Sequence, residues 1–246
     1  MAAHNVLAQP VKIEGITLDL VRKRIRYLNL TVYPPDGRVR VSAPLRVSER
    51  DIRDFVAARK EWIERQREKV RQMPVVPALR YETGEAHFFQ GHAHRLEVIE
   101  TDRSRGRAER YPAGRTIQLF APAGAGKAVR EKILLKWYRD ELTRLIPPVL
   151  ARWEAVAGVE AHTWGVKRMK TKWGTCNPRA KRSWISLDLV KKSPECLDYI
   201  MIHELTHLLE RGHGPRFKTF MDRFMPGWRL RRTELRAHPV ATQAAD

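Results

Sequence analysis

The segment His203-Glu204-Leu205-Thr206-His207 places two histidines four residues apart, with a glutamate directly after the first. On a helix such histidines share a face, one turn apart, and can point two imidazoles at one metal ion. Glu204 projects beside them, where a carboxylate can hold and deprotonate a water. This pattern is that of a zinc hydrolase, usually a metallopeptidase.

A catalytic zinc usually takes three protein ligands and keeps one position open. His213 lies six residues after His207. The metzincin string H-E-x-x-H-x-x-G-x-x-H puts its third histidine at the same offset, but Glu210 stands here where that string has glycine. The helix is therefore expected to run a turn longer and to stop at Gly212. Glu234, on a later helical segment, is the alternative ligand, as in gluzincin-type sites. Glu204 is the expected general base. Arg216, Tyr199 and Arg236 are candidate oxyanion partners, none preferred. Cys196 is on the same helix face as His203 but about 10 Å along the axis, too far to share an ion.

The helix bearing the motif is apolar on most sides, through Leu197, Ile200, Met201, Leu205, Leu208 and Leu209. Such a helix is buried, and its buried histidines and glutamate need partners. Ser193 and Pro194 read as its cap and first residue. A further helix is expected from Pro215 to Phe224.

The rest of the chain supplies the scaffold. Ile13 to Leu20, Leu28 to Val32 and Val39 to Val41 read as a small β-meander with a turn at Pro34-Pro35-Asp36-Gly37. Ser48, with Asp51 three residues on, caps one long helix over residues 49–71 whose apolar stripe is Ile52, Phe55, Val56, Trp62 and Ile63. Met73 to Pro77 is a plausible linker. A hairpin around Gly91 and a strand over residues 116–120 follow, separated by an Arg/Gly-rich loop at 102–110. Residues 126–158 turn helical with a break at Pro147-Pro148. Two strands, 163–169 and 183–187, flank a loop at 174–182. Gly124-Ala125-Gly126-Lys127 lacks the first glycine and the Ser/Thr of a phosphate loop and reads as helix-initiating.

This pattern gives an α+β fold. Its expected divisions are a β-meander plus helix at 12–72, a β-rich segment at 78–122, a zincin-like core with an HExxH helix at 123–237 and a mobile tail at 238–246. No internal repeat is evident.

The 246 residues suffice for one large domain or two small ones. No apolar run reaches the ~20 residues of a membrane span, and the N-terminus has no signal-peptide core. Cys176 and Cys196 are too few for a disulfide framework, which fits a reducing, cytoplasmic compartment. The net charge of +19 makes nucleic acid a candidate partner beside a protein or peptide substrate.

Trp173-Gly174-Thr175-Cys176, Trp184-Ile185-Ser186-Leu187, the stretch Leu197 to His207 and His213-Gly214-Pro215-Arg216-Phe217 together resemble the YgjP-like metallopeptidase family, itself similar in pattern to SprT-like and WLM zincins. The family usually reads W-G-S-C, L-x-Y-V-x-x-H-E-L-x-H and N-H-S-x-x-F. Thr175, Gly212 and Gly214 depart from it, and none of these changes removes a ligand. The resemblance implies a zincin-like domain with His203, His207 and His213 holding one Zn²⁺ and Glu204 as catalytic residue. By fold analogy, Ser186 and Leu187 would form an edge strand that pairs with an extended substrate. A DNA- or RNA-associated protease, or a non-proteolytic zinc-containing nucleic-acid-binding module, is the competing reading.

Overall fold

The computed structural model describes residues 8–33, 36–72, 79–111, 114–169 and 172–237. Pro34-Pro35, Met73 to Pro77 and the tail 238–246 lie outside them. The chain divides into two compact units, Met1–Pro77 and Ala78–Asp246.

The first unit is a four-stranded sheet with helices on one face. β1 (Gln9–Ile13) and β2 (Ile16–Lys23) form a hairpin closed by Glu14 and Gly15, with φ of 49° and 78°. Two consecutive positive φ angles make a type I′ turn, whose twist matches that of the flanking strands. β3 (Asn29–Tyr33) and β4 (Arg38–Pro44) form a second antiparallel pair. The sheet order is β1-β2-β4-β3, with β2 and β4 parallel. It is not the expected meander: alternation along each strand fixes which residues face inward, not which strand lies next to which.

The single long helix is two, α1 (Glu49–Ala57) and α2 (Lys60–Arg71). Ser48 caps the first as expected, its hydroxyl accepting from Asp51 N–H at 3.1 Å. Ala57-Ala58-Arg59-Lys60-Glu61 offers no bulky apolar group to bury, so the chain turns there and Arg59 N–H closes on Val56 O. Ile52, Val56 and Ile63 then pack on Leu18, Val39 and Val41, while Trp62 stays exposed.

The second unit begins with β5 (Ala86–Phe89), β6 (His92–Thr101), β7 (Arg107–Tyr111) and β8 (Thr116–Pro122), in the order β5-β6-β8-β7. This is the topology of the first sheet again, and the register of its three strands β2, β4 and β3 recurs in β6, β8 and β7. Leu18 pairs Val39 and Leu30 pairs Val41; one constant shift in numbering carries these onto Leu96–Ile117 and Ala108–Leu119. The hairpin turn recurs at Gln90 and Gly91, with φ of 48° and 80°. β4 and β8 both end in Ala-Pro and lead to a helix. The chain thus contains an internal structural repeat that is not evident in its sequence. Ala43-Pro44 and Ala121-Pro122 are among its few identical letters; what repeats is the inward alternation of apolar residues.

α3 (Lys127–Ala157) covers this sheet with Leu134, Trp137, Tyr138, Leu142 and Ile146. The expected break at Pro147-Pro148 does not occur. Each proline lacks a backbone donor and crowds the preceding turn, at a cost of about 3 kcal/mol. Burial of Ile146 and Leu150 on either side offsets that cost. A second sheet holds β9 (Thr163–Lys167), β10 (Gly174–Asn177) and β11 (Arg182–Ser186) in the order β10-β11-β9. A short 3₁₀ turn, Leu187–Lys191, leads to α4 (Pro194–Leu209), α5 (Pro215–Phe224) and α6 (Trp228–Ala237). The fold is mixed α/β, and one continuous core joins the first sheet of this unit, α3 and α4.

Candidate metal centre

Helix α4 carries His203, Glu204 and His207. Its apolar residues are buried nearly all round, including Leu197, Ile200, Met201, Ile202 and Leu205. A helix held on most sides cannot rotate about its axis, so the direction of both imidazoles is fixed by packing. Thr206 on the same helix is fully buried, its hydroxyl donating to Ile202 O at 2.7 Å within the helix.

The helix ends at Leu209, three residues before the glycine expected to stop it. Glu210 takes an extended conformation, φ −145° and ψ 119°, and turns its carbonyl back to His207. His207 Nδ1–H donates to that carbonyl at 3.1 Å. This assigns the tautomer and leaves Nε2 as the lone-pair nitrogen, as expected of a metal-ligating histidine. Gly212 has no left-handed φ; the chain simply crosses to His213 and restarts at Pro215 as α5.

Three nitrogens converge as a result. The ligand atoms of His203, His207 and His213 all lie within 4.8 Å of one another. His203 Nε2 and His213 Nε2 stand 3.0 Å apart. Two nitrogens about 2.0–2.1 Å from one tetrahedral zinc would be separated by about 3.3 Å, so this spacing fits a shared cation. Phe217, fully buried on α5, packs against all three rings at centroid distances of 5.0, 4.8 and 4.8 Å. His203 Nδ1 is buried with no hydrogen-bond partner among the described residues. Burial, then the neighbouring His207 and His213, push the His203 pKa down to about 3. Burial also lowers that of His207, against the Glu210 carbonyl, which raises it. Neutral imidazoles are what a metal requires.

Glu204 is only 4 % exposed. Burial raises its pKa to about 8, with Lys172 drawing it back down. Gly174 on β10 passes directly against it. The four residues open on a cleft of ≈ 680 Å³ lined also by Trp173, Cys176, Tyr199, Arg211 and Arg232.

The alternative ligand Glu234 is engaged elsewhere. Its carboxylate accepts from Ser193 Oγ at 2.5 Å and from Arg231 at 3.0 Å. Ser193 therefore holds α6 rather than capping α4 with its side chain. Of the candidate oxyanion partners, Tyr199 lines the cleft, Arg216 pairs with Glu210 at 3.8 Å, and the side chain of Arg236 lies outside the described residues. Lys172, Arg211 and Arg232 also line the cleft, and local sequence does not place them there, because they come from three segments that only the fold brings together. Cys176 lines the cleft without joining the nitrogen cluster.

Ser186 and Leu187 are not on an edge. β11 is the central strand, paired with β10 on one side and β9 on the other, and both residues are buried. Ser186 N–H is already bonded to Trp173 O. The strand beside Glu204 is instead β10, which lies in the stretch read from sequence as a loop, and it is an edge strand. Four residues with a glycine and an asparagine at the ends make too short a run to show alternation.

A family model described as "YgjP-like, metallopeptidase domain" matches residues 26–238. No curated protein matches significantly. Among solved structures, the metallopeptidase zymogen of Pyrococcus abyssi abylysin is similar over 37 % of this chain and 89 % of that one, at 20 % identity and a TM-score of 0.33.

Proposed function

The chain belongs to the YgjP-like metallopeptidase family, and from that premise we propose that it is a zinc-dependent peptidase with His203, His207 and His213 as ligands of one ion and Glu204 as general base. The observation that carries this reading is the convergence of three imidazoles beside one buried carboxyl. A purely structural zinc site has no use for Glu204.

When bound, zinc supplies a Lewis acid that polarises the scissile carbonyl and makes water acidic near neutral pH. The protein does the rest. Glu204 takes the water proton at its carboxylate and hands it to the leaving amine. The Glu210 carbonyl holds His207 in the correct tautomer. Lys172 and Arg232 place positive charge on the cleft wall, where oxyanion charge develops. An extended substrate adds to the free edge of β10, main chain to main chain, in place of the pairing expected at residues 184–188. No helix among the described residues is long and apolar enough to cross a membrane; a cytoplasmic enzyme acting on proteins or peptides is the reading we adopt.

The test is Glu204→Gln. Zinc content, measured by mass spectrometry of the purified protein, stays at the wild-type level, while hydrolysis of casein falls by a factor on the order of 10²–10⁴. Undiminished cleavage by the variant would remove Glu204 as the base. Zinc-loaded wild type that cleaves nothing would favour the non-proteolytic module.

A further inference from the structure

We infer that the sheet face of the first unit opposite its helices, where Lys12 and Lys23 are exposed, is a binding surface for single-stranded nucleic acid. The helices α1 and α2 cover one face of this sheet. Register places Lys12, Lys23, Arg38 and Arg40 on the other, with Tyr33 and one carboxylate, Asp19. Arg38 and Arg40 both reach Asp19, at 3.8 and 3.4 Å, so a single anion is shared by two guanidinium groups. Both also lie over the Tyr33 ring, at 5.8 and 5.4 Å. Beyond the end of β2 the chain continues through Arg24 and Arg26 to Tyr27, which is 66 % exposed with the Arg26 guanidinium 5.3 Å from its ring centre. An aromatic ring that open gains nothing from the core.

The repeat provides the comparison. The same shift in numbering carries Lys23, Arg38 and Arg40 onto Thr101, Thr116 and Gln118 of the second unit, all uncharged. The matching face there carries Arg95 and Arg107 against Glu97 and Glu109, a balanced set in which Arg107 pairs with Glu109. The scaffold does not demand cations on that face, since the second copy is built without the surplus. The excess belongs to the first copy alone.

Charge by itself fits any polyanion. The interleaving of planar and cationic groups is more selective. Bases stack on tyrosine rings and guanidinium planes while phosphates meet the charges, and a single strand presents both at once. A carboxylate-rich protein would use the charges and leave the rings idle. A duplex buries its bases and would not reach Tyr27.

The test is fluorescence anisotropy of labelled oligothymidylate and oligouridylate with the full chain, titrated with salt. The expected result is binding that weakens steeply as salt rises. Lys23→Gln with Arg38→Gln weakens it and lowers the log–log salt slope by about one per lost phosphate contact. Tyr27→Ala weakens it about tenfold with the slope unchanged. Arg95→Gln with Arg107→Gln leaves it as it was, and casein hydrolysis is the same in all these variants. The inference falls if no oligonucleotide binds at low salt, or if the second-unit substitutions weaken binding as much as the first. It also falls if oligoglutamate or a DNA duplex binds as tightly as the single strand.

Discussion

Gly174 and Glu204 are in contact so close that no side chain fits between them. A Cβ on Gly174 would lie 2.5 Å from Glu204 Oε1 and 2.8 Å from its Cγ. Glycine is needed at this point of β10 for space and not for an unusual backbone angle. The edge strand thereby fixes the rotamer of the carboxyl beside the three histidines.

Gly174→Ala tests this directly. The added methyl group displaces the Glu204 side chain or the strand, and misplacement of a reacting group by ~1 Å costs on the order of 10²-fold in rate. We expect kcat for casein hydrolysis to fall by about that factor with zinc content unchanged. A fully active variant would show that the carboxyl can act from another position.

The third ligand separates two variants. His213→Ala removes one of three nitrogens and is expected to lower zinc retention in a dialysis assay against chelator. Glu234→Ala keeps the metal but leaves Ser193 without its partner, and unfolding stability drops by about 1–2 kcal/mol. The reverse pattern would assign Glu234 to the ion.

Much of this was open to the sequence. The HExxH spacing, the helix from Pro215 and the Ser48 cap depend on neighbours within a few residues, and each is present in the structure. The identity of the strand beside Glu204 depends on which segments meet across the sheet, and no local pattern encodes it. The same holds for Phe217, whose contact with three imidazoles is a property of the crossing of α4 and α5. Gly212 misled for a physical reason: a glycine near a helix end usually takes a left-handed cap, but here Glu210 ends the helix by extending.

Metal removal bears on the two units differently. A ligand that binds only the folded state stabilises it in proportion to its occupancy. Chelation is expected to lower the melting temperature of the unit holding α4 and leave the first unit's transition in place. The two are resolved by calorimetry of the full chain. A single transition that shifts as a whole would contradict this.

Acid lability has a traceable source in the second unit. His87 is buried, and burial lowers its pKa even though Glu85, 3.3 Å away, raises it. Burial alone would raise the Glu85 carboxyl, but the Arg80 and Tyr81 backbone N–H groups and His87 bring it below its usual value. For both groups the unfolded chain takes up the proton first, so their stabilisation is present at neutral pH. That of His87 is lost as pH falls from about 6.5, and that of Glu85 below about 4.5. Denaturation midpoints measured between pH 7 and 5 should fall for the wild type and fall less for His87→Gln. Equal slopes for the two would remove His87 as the cause.

Each four-stranded sheet consists of two hairpins joined along one parallel pair, β2 with β4 and β6 with β8. A hairpin closes between residues near in sequence; joining two hairpins requires a more distant encounter. Loop-closure entropy makes that encounter the slow step in assembling a sheet. The chain meets this step twice, in separate units. The first can be completed while the second is still being synthesised, so the first sheet has no need of α4 in order to form.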